Sequence, residues 1–357
     1  MKKKILILAL SGIGDALMFT PAAKLLREKF PDAVIDALVM FPGTKNIYDR
    51  TGFFDKVILF DFLAEGAFRS LKFVLSLRGK YTHSISVYPS NRREYNGIQW
   101  LIGAKKRGQV KYLRMDGSCF GWLNNVRITE DDSLHNVEEN VNLVKKMFGF
   151  EEVALYPLQF PLNEDDTQFA EEYLKNEVKE GAKLVGFHPG CATFKNHIHR
   201  RWEPEKFAAL GKLLKEKHGC EVLLFGGPEE KELRANIMEL AGEGVFKEPK
   251  TRSLSQSAAL IKKCDLFITN DSSLMHVSSA MGVKVLAIIG PTNINYIHPW
   301  MTEYEIASLY LDCSPCFFYS PKPLTCTRTD VKYKCIKELS VEMVYKTAQR
   351  QLNLAAN

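Results

Sequence analysis

Several loops of this chain combine residue types that can hold an anion and move a proton. The first is Gly12-Ile13-Gly14-Asp15, whose glycines let the backbone turn sharply and approach a ligand. A dinucleotide fingerprint would need a third glycine where Leu17 stands, so that fingerprint is broken. Asp15 reads in two ways: a helix-start carboxylate favoured by the macrodipole, or a general base within reach of a nucleophilic hydroxyl. A second loop, His188-Pro189-Gly190-Cys191-Ala192-Thr193, runs into Lys195, His197, His199, Arg200, Arg201 and Trp202. Small residues before concentrated positive charge suit a diphosphate: amides and the Thr193 hydroxyl donate, and a guanidinium balances charge on a departing phosphate. An exposed basic loop accounts for the same residues. His197 and His199 have metal-like spacing, but no acidic or thiol ligand stands beside them.

In Gly226-Gly227-Pro228-Glu229, glycines would let a nucleotide pack on the backbone while Glu229 accepts from ribose hydroxyls. A plain turn before an acidic helix start explains it equally. The run Asn270-Asp271-Ser272-Ser273-Leu274-Met275-His276 is richer. Ser272 or Ser273 can cap a helix whose exposed amides form an anion site, and His276 lies one turn on, as a core histidine or a site residue. Gly290-Pro291-Thr292-Asn293 adds a further turn.

These loops need a scaffold that brings strand ends to one edge. Short apolar runs alternating with amphipathic stretches indicate an open α/β architecture with parallel strands. Strands are expected at 5–10, 34–40, 56–60 and 84–88, with helices at 16–28, 67–77 and 136–147; the second helix places Phe68, Leu71 and Leu75 on one face. After a hinge containing Pro157, Pro161 and Glu164-Asp165-Asp166 and a helix at 167–177, the rhythm restarts. Strands are then expected at 183–187, 221–225, 266–269 and 283–289, and helices at 204–217, 229–240, 255–261, 273–281 and 340–354. This predicts two Rossmann-like doubly wound domains, 1–165 and 166–339, facing across a cleft, with a C-terminal helix at 340–357. Every loop above would lie beyond the carboxyl end of a strand, where open sheets bind ligands.

With 357 residues, 46% hydrophobic and 25% charged, the chain is globular, which excludes collagen-like, mucin-like and wholly disordered classes. Met1-Lys-Lys-Lys before an apolar run imitates a signal peptide, but Asp15 arrives where the apolar core should continue, so a buried first strand is expected. No stretch approaches the roughly 18 uninterrupted apolar residues of a membrane helix, and the expectation is a soluble cytoplasmic protein. The net charge of +6 favours acidic partners. Arg92, Arg93, Lys105, Lys106, Arg107, Lys111 and Arg114, interleaved with Tyr88, Tyr95, Trp100 and Tyr112, form either a solvated basic face or a surface for a phosphorylated acceptor. No nucleic-acid motif accompanies the charge, so nucleic acid is not an expected partner. Of eight cysteines, Cys313, Cys316, Cys326 and Cys335 are gathered. Their spacing admits a tetrahedral structural Zn or Fe site, reduced thiols packed under a loop, or, against a cytosolic setting, disulfides. Four thiol ligands would leave no open position for a catalytic metal.

Taken together, Gly12-Ile13-Gly14-Asp15, Arg200-Arg201-Trp202-Glu203-Pro204, Phe225-Gly226-Gly227-Pro228, Asp271-Ser272-Ser273 with His276, and Gly290-Pro291-Thr292 resemble the lipopolysaccharide heptosyltransferase family of GT-B glycosyltransferases over nearly the whole chain. The resemblance implies transfer of heptose from ADP-heptose to an acceptor hydroxyl, with inversion and without a divalent metal or other cofactor. It puts the base on Asp15 and the phosphate-binding cation, a lysine in the family, on Arg200, with Lys195 and Arg201 as further candidates. Gly12, Gly14, Thr193, Gly226, Gly227, Glu229, Asp271, Ser272, Ser273 and His276 would serve the donor. Arg92, Arg93, Lys105, Lys106 and Arg107 would serve a lipid-linked or core-oligosaccharide acceptor beside the inner membrane. Relatives also carry C-terminal cysteines, which some autotransporter heptosyltransferases use to hold iron. Competing readings are a transferase using another nucleotide sugar, a sugar-nucleotide epimerase, and a non-catalytic nucleotide- or metal-binding scaffold.

Overall fold

A computed structural model describes residues 2–318 and 322–354. The chain divides at Pro161/Leu162, a few residues before the boundary expected from sequence. In the first unit, β1 (Lys4–Ala9), β2 (Val34–Val39), β3 (Lys56–Leu59), β4 (His83–Ser86), β5 (Lys106–Lys111) and β6 (Val126–Thr129) form one sheet in the order β3-β2-β1-β4-β5-β6. All pairings are parallel. Because helices cover both faces of such a sheet, the central strand is an unbroken apolar run, and Ile5 to Ala9 are all buried.

The helices of this unit are α1 (Ile13–Lys29), α2 (Pro42–Thr51), α3 (Gly66–Ser76), α4 (Arg93–Ile102) and α5 (Asn136–Phe148). Pro21 inside α1 cannot donate to the Leu17 carbonyl, and the Thr20 hydroxyl donates to that oxygen instead at 2.7 Å. The face of α3 that carries Phe68, Leu71 and Leu75 is not buried. Phe73 stacks on Phe60 at 4.0 Å and meets Phe62 edge-on, which fixes the roll of the helix so that Val74 enters the core. Phe68, Leu71 and Leu75 are left facing solvent. Sequence patterning also missed α2, α4, β5 and β6. Lys106-Arg-Gly-Gln-Val-Lys111 of β5 has charged ends and no apolar run, so it carries no strand signal.

In the second unit, β7 (Leu184–His188), β8 (Glu221–Leu224), β9 (Phe246–Lys247), β10 (Leu266–Asn270), β11 (Val285–Ile288) and β12 (Tyr304–Ala307) form a sheet in the order β12-β11-β10-β7-β8-β9. All its pairings are parallel as well. Its helices are α6 (Glu164–Glu177), α7 (Pro204–His218), α8 (Lys231–Ala241), α9 (Leu254–Ile261) and α10 (Ser273–Ala280), the single turns α11 (Ile294–Ile297) and α12 (Lys334–Lys337), and α13 (Val341–Leu352). Ser340 caps α13, whose Val344, Tyr345, Ala348 and Leu352 join the core of this unit. The terminal helix is therefore part of the second unit, and residues 355–357 of the expected segment lie outside the described residues.

Candidate active site

In the first unit, β1 ends at Ala9 and the chain turns through Gly12 into α1, placing Asp15 in the first helical turn, half-buried. Gly12 is exposed, and a Cβ added to it would meet nothing within 4 Å, so neither crowding nor a positive φ requires glycine there. The open approach to the backbone is what its absent side chain provides. Tyr48 and Tyr95 both feel the charge of Asp15. Tyr48 is buried and donates to the Ala16 carbonyl at 3.1 Å; Tyr95 donates to the Leu10 carbonyl at 2.9 Å. Burial, and then the negative charge of Asp15, pushes the Tyr48 phenol well above its ordinary range.

Strand direction sorts the basic residues expected to serve an acceptor. Arg92 and Arg93 follow the carboxyl end of β4, the edge that carries Asp15, with the Arg92 guanidinium over the Tyr95 ring at 5.6 Å. A buried amide network holds this loop: Asn96 and Gln109 each donate to Asn91 Oδ1 at 2.8 Å, and Asn124 donates to Asn96 Oδ1 at 2.9 Å. Lys105, Lys106 and Arg107 instead lie at the amino end of β5, about 15 Å away along the strand direction. Arg107 is occupied there, donating to the carbonyls of Leu123 at 3.0 Å and Ala104 at 2.8 Å. The structure does not bring these three residues to the Asp15 edge.

In the second unit, the loops after β7, β8, β10 and β11 meet at one edge. Arg200 and Asp271 form a buried ion pair, and the Thr292 hydroxyl donates to the same carboxylate at 2.6 Å. The Arg200 guanidinium lies 5.5 Å from the centre of the Phe317 ring. Asn270 ties the loops together, accepting from the Trp202 amide at 3.0 Å and donating to the Pro189 carbonyl at 2.6 Å.

A second network was not legible beforehand. His188, the last residue of β7, has Nδ1 2.8 Å from Ser272 Oγ and Nε2 3.0 Å from Glu230 Oε2. An ionised carboxylate only accepts, so the Nε2 nitrogen facing Glu230 is the one that donates, while Nδ1 and the Ser272 hydroxyl share a second hydrogen bond. Burial would raise the Glu230 carboxyl, but its bond to His188, the Gly227 amide at 3.0 Å and Arg201 hold it below its ordinary value. Glu230, rather than the exposed Glu229, is thus the buried acid of this loop. Its fit requires Gly190, where a Cβ would stand 1.6 Å from Glu230 Oε1.

Ser272 occupies the N-cap of α10, but its hydroxyl lies against His188 and makes no cap bond. Ser273 is half-buried at the helix start. His276 is buried one turn on, and burial pulls its pKa down to about 4 despite the opposing charge of Asp271, so the ring is neutral at pH 7. Its Nδ1 has no hydrogen-bond partner among the described residues. Gly226 and Gly227 pack around Glu230, Glu229 and Arg234, while Thr193 is exposed on the loop that carries Lys195 in a left-handed conformation. Arg201 donates to the Cys191 carbonyl at 2.6 Å, an anchoring role. His197 packs between Phe194 and Phe317 and His199 stacks on Tyr333, so the two rings do not converge.

All eight cysteines are free thiols. Burial, then the charges of Cys316, Cys326 and Cys313, raises the Cys335 thiol to about 11, which places the four in one electrostatic neighbourhood. The Tyr333 amide donates to Cys326 Sγ at 3.3 Å and Arg328 Nη1 to Cys313 Sγ at 3.5 Å. Among the described residues, no three His, Cys, Asp or Glu side chains are arranged to hold a metal ion. No helix among them is long and apolar enough to cross a membrane.

Residues 98–324, more than half of the chain, match the model of glycosyltransferase family 9 (heptosyltransferase). Lipooligosaccharide heptosyltransferase 2 of Campylobacter jejuni is 34% identical over 183 residues, which is 49% of this chain and 53% of that relative. The chain thus spans about half the length of that relative. Lipopolysaccharide heptosyltransferase 2 of Escherichia coli K12 is 28% identical over 332 residues, covering 86% of this chain and 88% of the relative. The solved structure of E. coli ADP-heptose lps heptosyltransferase II covers 99% of both chains with a TM-score of 0.73 at 20% identity, a likeness of fold.

Proposed function

The chain belongs to glycosyltransferase family 9 (heptosyltransferase), and from that premise we propose that it transfers heptose from ADP-heptose, with inversion, to a hydroxyl of a lipopolysaccharide core or related envelope glycan. The observation that carries the proposal is the buried Arg200 held by Asp271 at the edge where α10 begins without a cap bond from Ser272. A guanidinium and helix-start amides are the donors a leaving diphosphate needs.

In the proposed mechanism, Asp15 removes the proton from the acceptor hydroxyl as that oxygen attacks the anomeric carbon. The bond from that carbon to the diphosphate breaks on the opposite side, and its electron pair goes to the terminal phosphate oxygen. Arg200 has five N–H donors, so it can keep Asp271 and still donate to that oxygen. Arg200 and the amides at Ser272 and Ser273 supply electrostatic stabilisation, and the neutral His276 supplies hydrogen bonding without charge. Arg92 and Arg93 are the acceptor-side cations of the proposal, and they suit a phosphorylated, lipid-linked core presented at the cytoplasmic face of a membrane. A structural zinc or iron at Cys313, Cys316, Cys326 and Cys335 is a further part of it. Four thiols within one another's field, with N–H donors aimed at two sulfurs, fit such an ion chemically. Holding it would require the sulfurs to draw together. A metal there would brace the loop and takes no part in transfer.

Calorimetric titration with ADP, UDP and GDP, without added divalent metal, tests the donor. Selective ADP binding is expected; preference for UDP or GDP would discard the heptose donor. Asp15→Asn should abolish transfer while leaving ADP binding within about threefold, and retained donor turnover would remove Asp15 from the base role.

A further inference from the structure

The outward face of α3 is a continuous apolar stripe. Phe68 is 81% exposed, Leu71 46% and Leu75 44%, and Leu63, just before the helix, is 78% exposed. Spacings of three and four residues put Phe68, Leu71, Lys72 and Leu75 on one side of the helix. Single exposed leucines are ordinary, but a contiguous stripe backed by a rigid helix marks a contact surface. The aromatic clamp of Phe60 and Phe62 on Phe73 fixes this orientation, so the stripe cannot roll inward without breaking that stack.

Charge selects the partner. Between residues 61 and 80 there are four basic residues, Arg69, Lys72, Arg78 and Lys80, against the two acids Asp61 and Glu65. Asp61 accepts from the amides of Leu63 at 2.9 Å and Ala64 at 3.1 Å, Glu65 and Arg69 offset each other in a pair at 2.8 Å, and Arg78 donates to the Leu101 carbonyl at 3.2 Å, so the segment carries a net charge of +2 with Lys72 on the stripe itself. An apolar stripe that carries the exposed Lys72, in a segment with net positive charge, suits the boundary between acyl chains and anionic headgroups. A second copy of the chain fits poorly. A two-fold contact would set Lys72 near its own counterpart, and four side chains cover far less than the roughly 800 Å² per partner of a stable interface.

We propose that α3, with Leu63, docks on an anionic lipid bilayer. The inference rests on the membrane-side acceptor of the proposed function and gives that contact a location. It involves none of the residues assigned to transfer. The test is co-sedimentation of the full chain with vesicles of phosphatidylethanolamine and phosphatidylglycerol, and with vesicles of phosphatidylcholine alone. Wild type should bind the anionic vesicles and lose binding at high salt. Phe68→Ser with Leu71→Ser should weaken it at least tenfold and Lys72→Glu severalfold, with circular dichroism and ADP affinity unchanged. Wild type that ignores anionic vesicles, or a double variant that binds like wild type, overturns the proposal. A dimer in sedimentation velocity that the double variant abolishes also overturns it, in favour of self-association. ADP calorimetry on the same preparations separates these failures from failure of the transferase reading, which would appear as absent ADP binding.

Discussion

Arg200→Ala should separate what the ion pair does for stability from what it does for the donor. Both partners are buried, and after truncation the Asp271 carboxylate would keep the Thr292 hydroxyl at 2.6 Å. Stranding one charge of a buried pair costs about 3–5 kcal/mol. For a unit the size of the second one, each kcal/mol moves Tm by roughly 2–4 °C, so a fall on the order of 10 °C is expected in its thermal transition. Loss of a charge-assisted bond to phosphate, about 1.5–3 kcal/mol, should weaken ADP binding roughly 10- to 150-fold. Adding Asp271→Asn removes the stranded charge, and Thr292 can still donate to the amide oxygen. The double variant should therefore recover most of the stability and none of the ADP affinity, as read by scanning calorimetry and isothermal titration. Arg200→Ala costing under about 1 kcal/mol would refute the buried-pair argument. ADP affinity returning in the double variant would refute the assignment of Arg200 to the phosphate.

Three further outcomes follow from the same geometry. His276 has a folded pKa of about 4 against 6.5 in the open chain, so the unfolded state binds the extra proton and this contribution to stability, complete above pH 6.5, is lost as pH falls toward 4. Denaturant titrations should show about 2 kcal/mol lost between pH 7 and pH 5 from this group, and His276→Gln should flatten that slope. Glu139 in the first unit is raised to about 7, chiefly by burial, so its contribution has the opposite sense, present below pH 4.5 and lost as pH rises through 7; Glu139→Gln should raise the melting temperature of that unit at pH 8. Gly190→Ala would drive a methyl into Glu230 Oε1, break its bond to His188, and weaken ADP binding with a lowered Tm, whereas wild-type behaviour would show that the loop has room the structure denies it.

How much of this was legible in the sequence depended on whether a residue's partner was local. The parallel strands announced themselves because burial on both faces makes them plain apolar runs, as in Ile5 to Ala9. Gly12 to Asp15 and Asp271 to Ser273 could be placed at strand ends because the strand and the loop adjoin in sequence. The strand β5 was silent because its central position is met by glutamine and glycine: Gln109 faces the amide network and Gly108 faces Met147, where a Cβ would stand 2.5 Å from the methionine methyl. Lys105 to Arg107 looked like part of a basic surface until strand direction put them at the amino end.

The clearest case is His188. In the sequence it precedes Pro189-Gly190 and carries no motif of its own; Ser272 lies 84 residues away and Glu230 lies 42 away. Only the strand order β10-β7-β8 makes them neighbours, because β7 sits between the two strands whose loops supply the serine and the acid. The same order brings Ser272 against β7: its hydroxyl lies 2.8 Å from the His188 imidazole and makes no cap bond to the α10 amides. A local rule favours the cap, worth about 1 kcal/mol. The fold overrides it at the edge where the Arg200–Asp271 pair is buried. The departure from the local rule therefore falls at the edge where the proposed function places the donor's diphosphate.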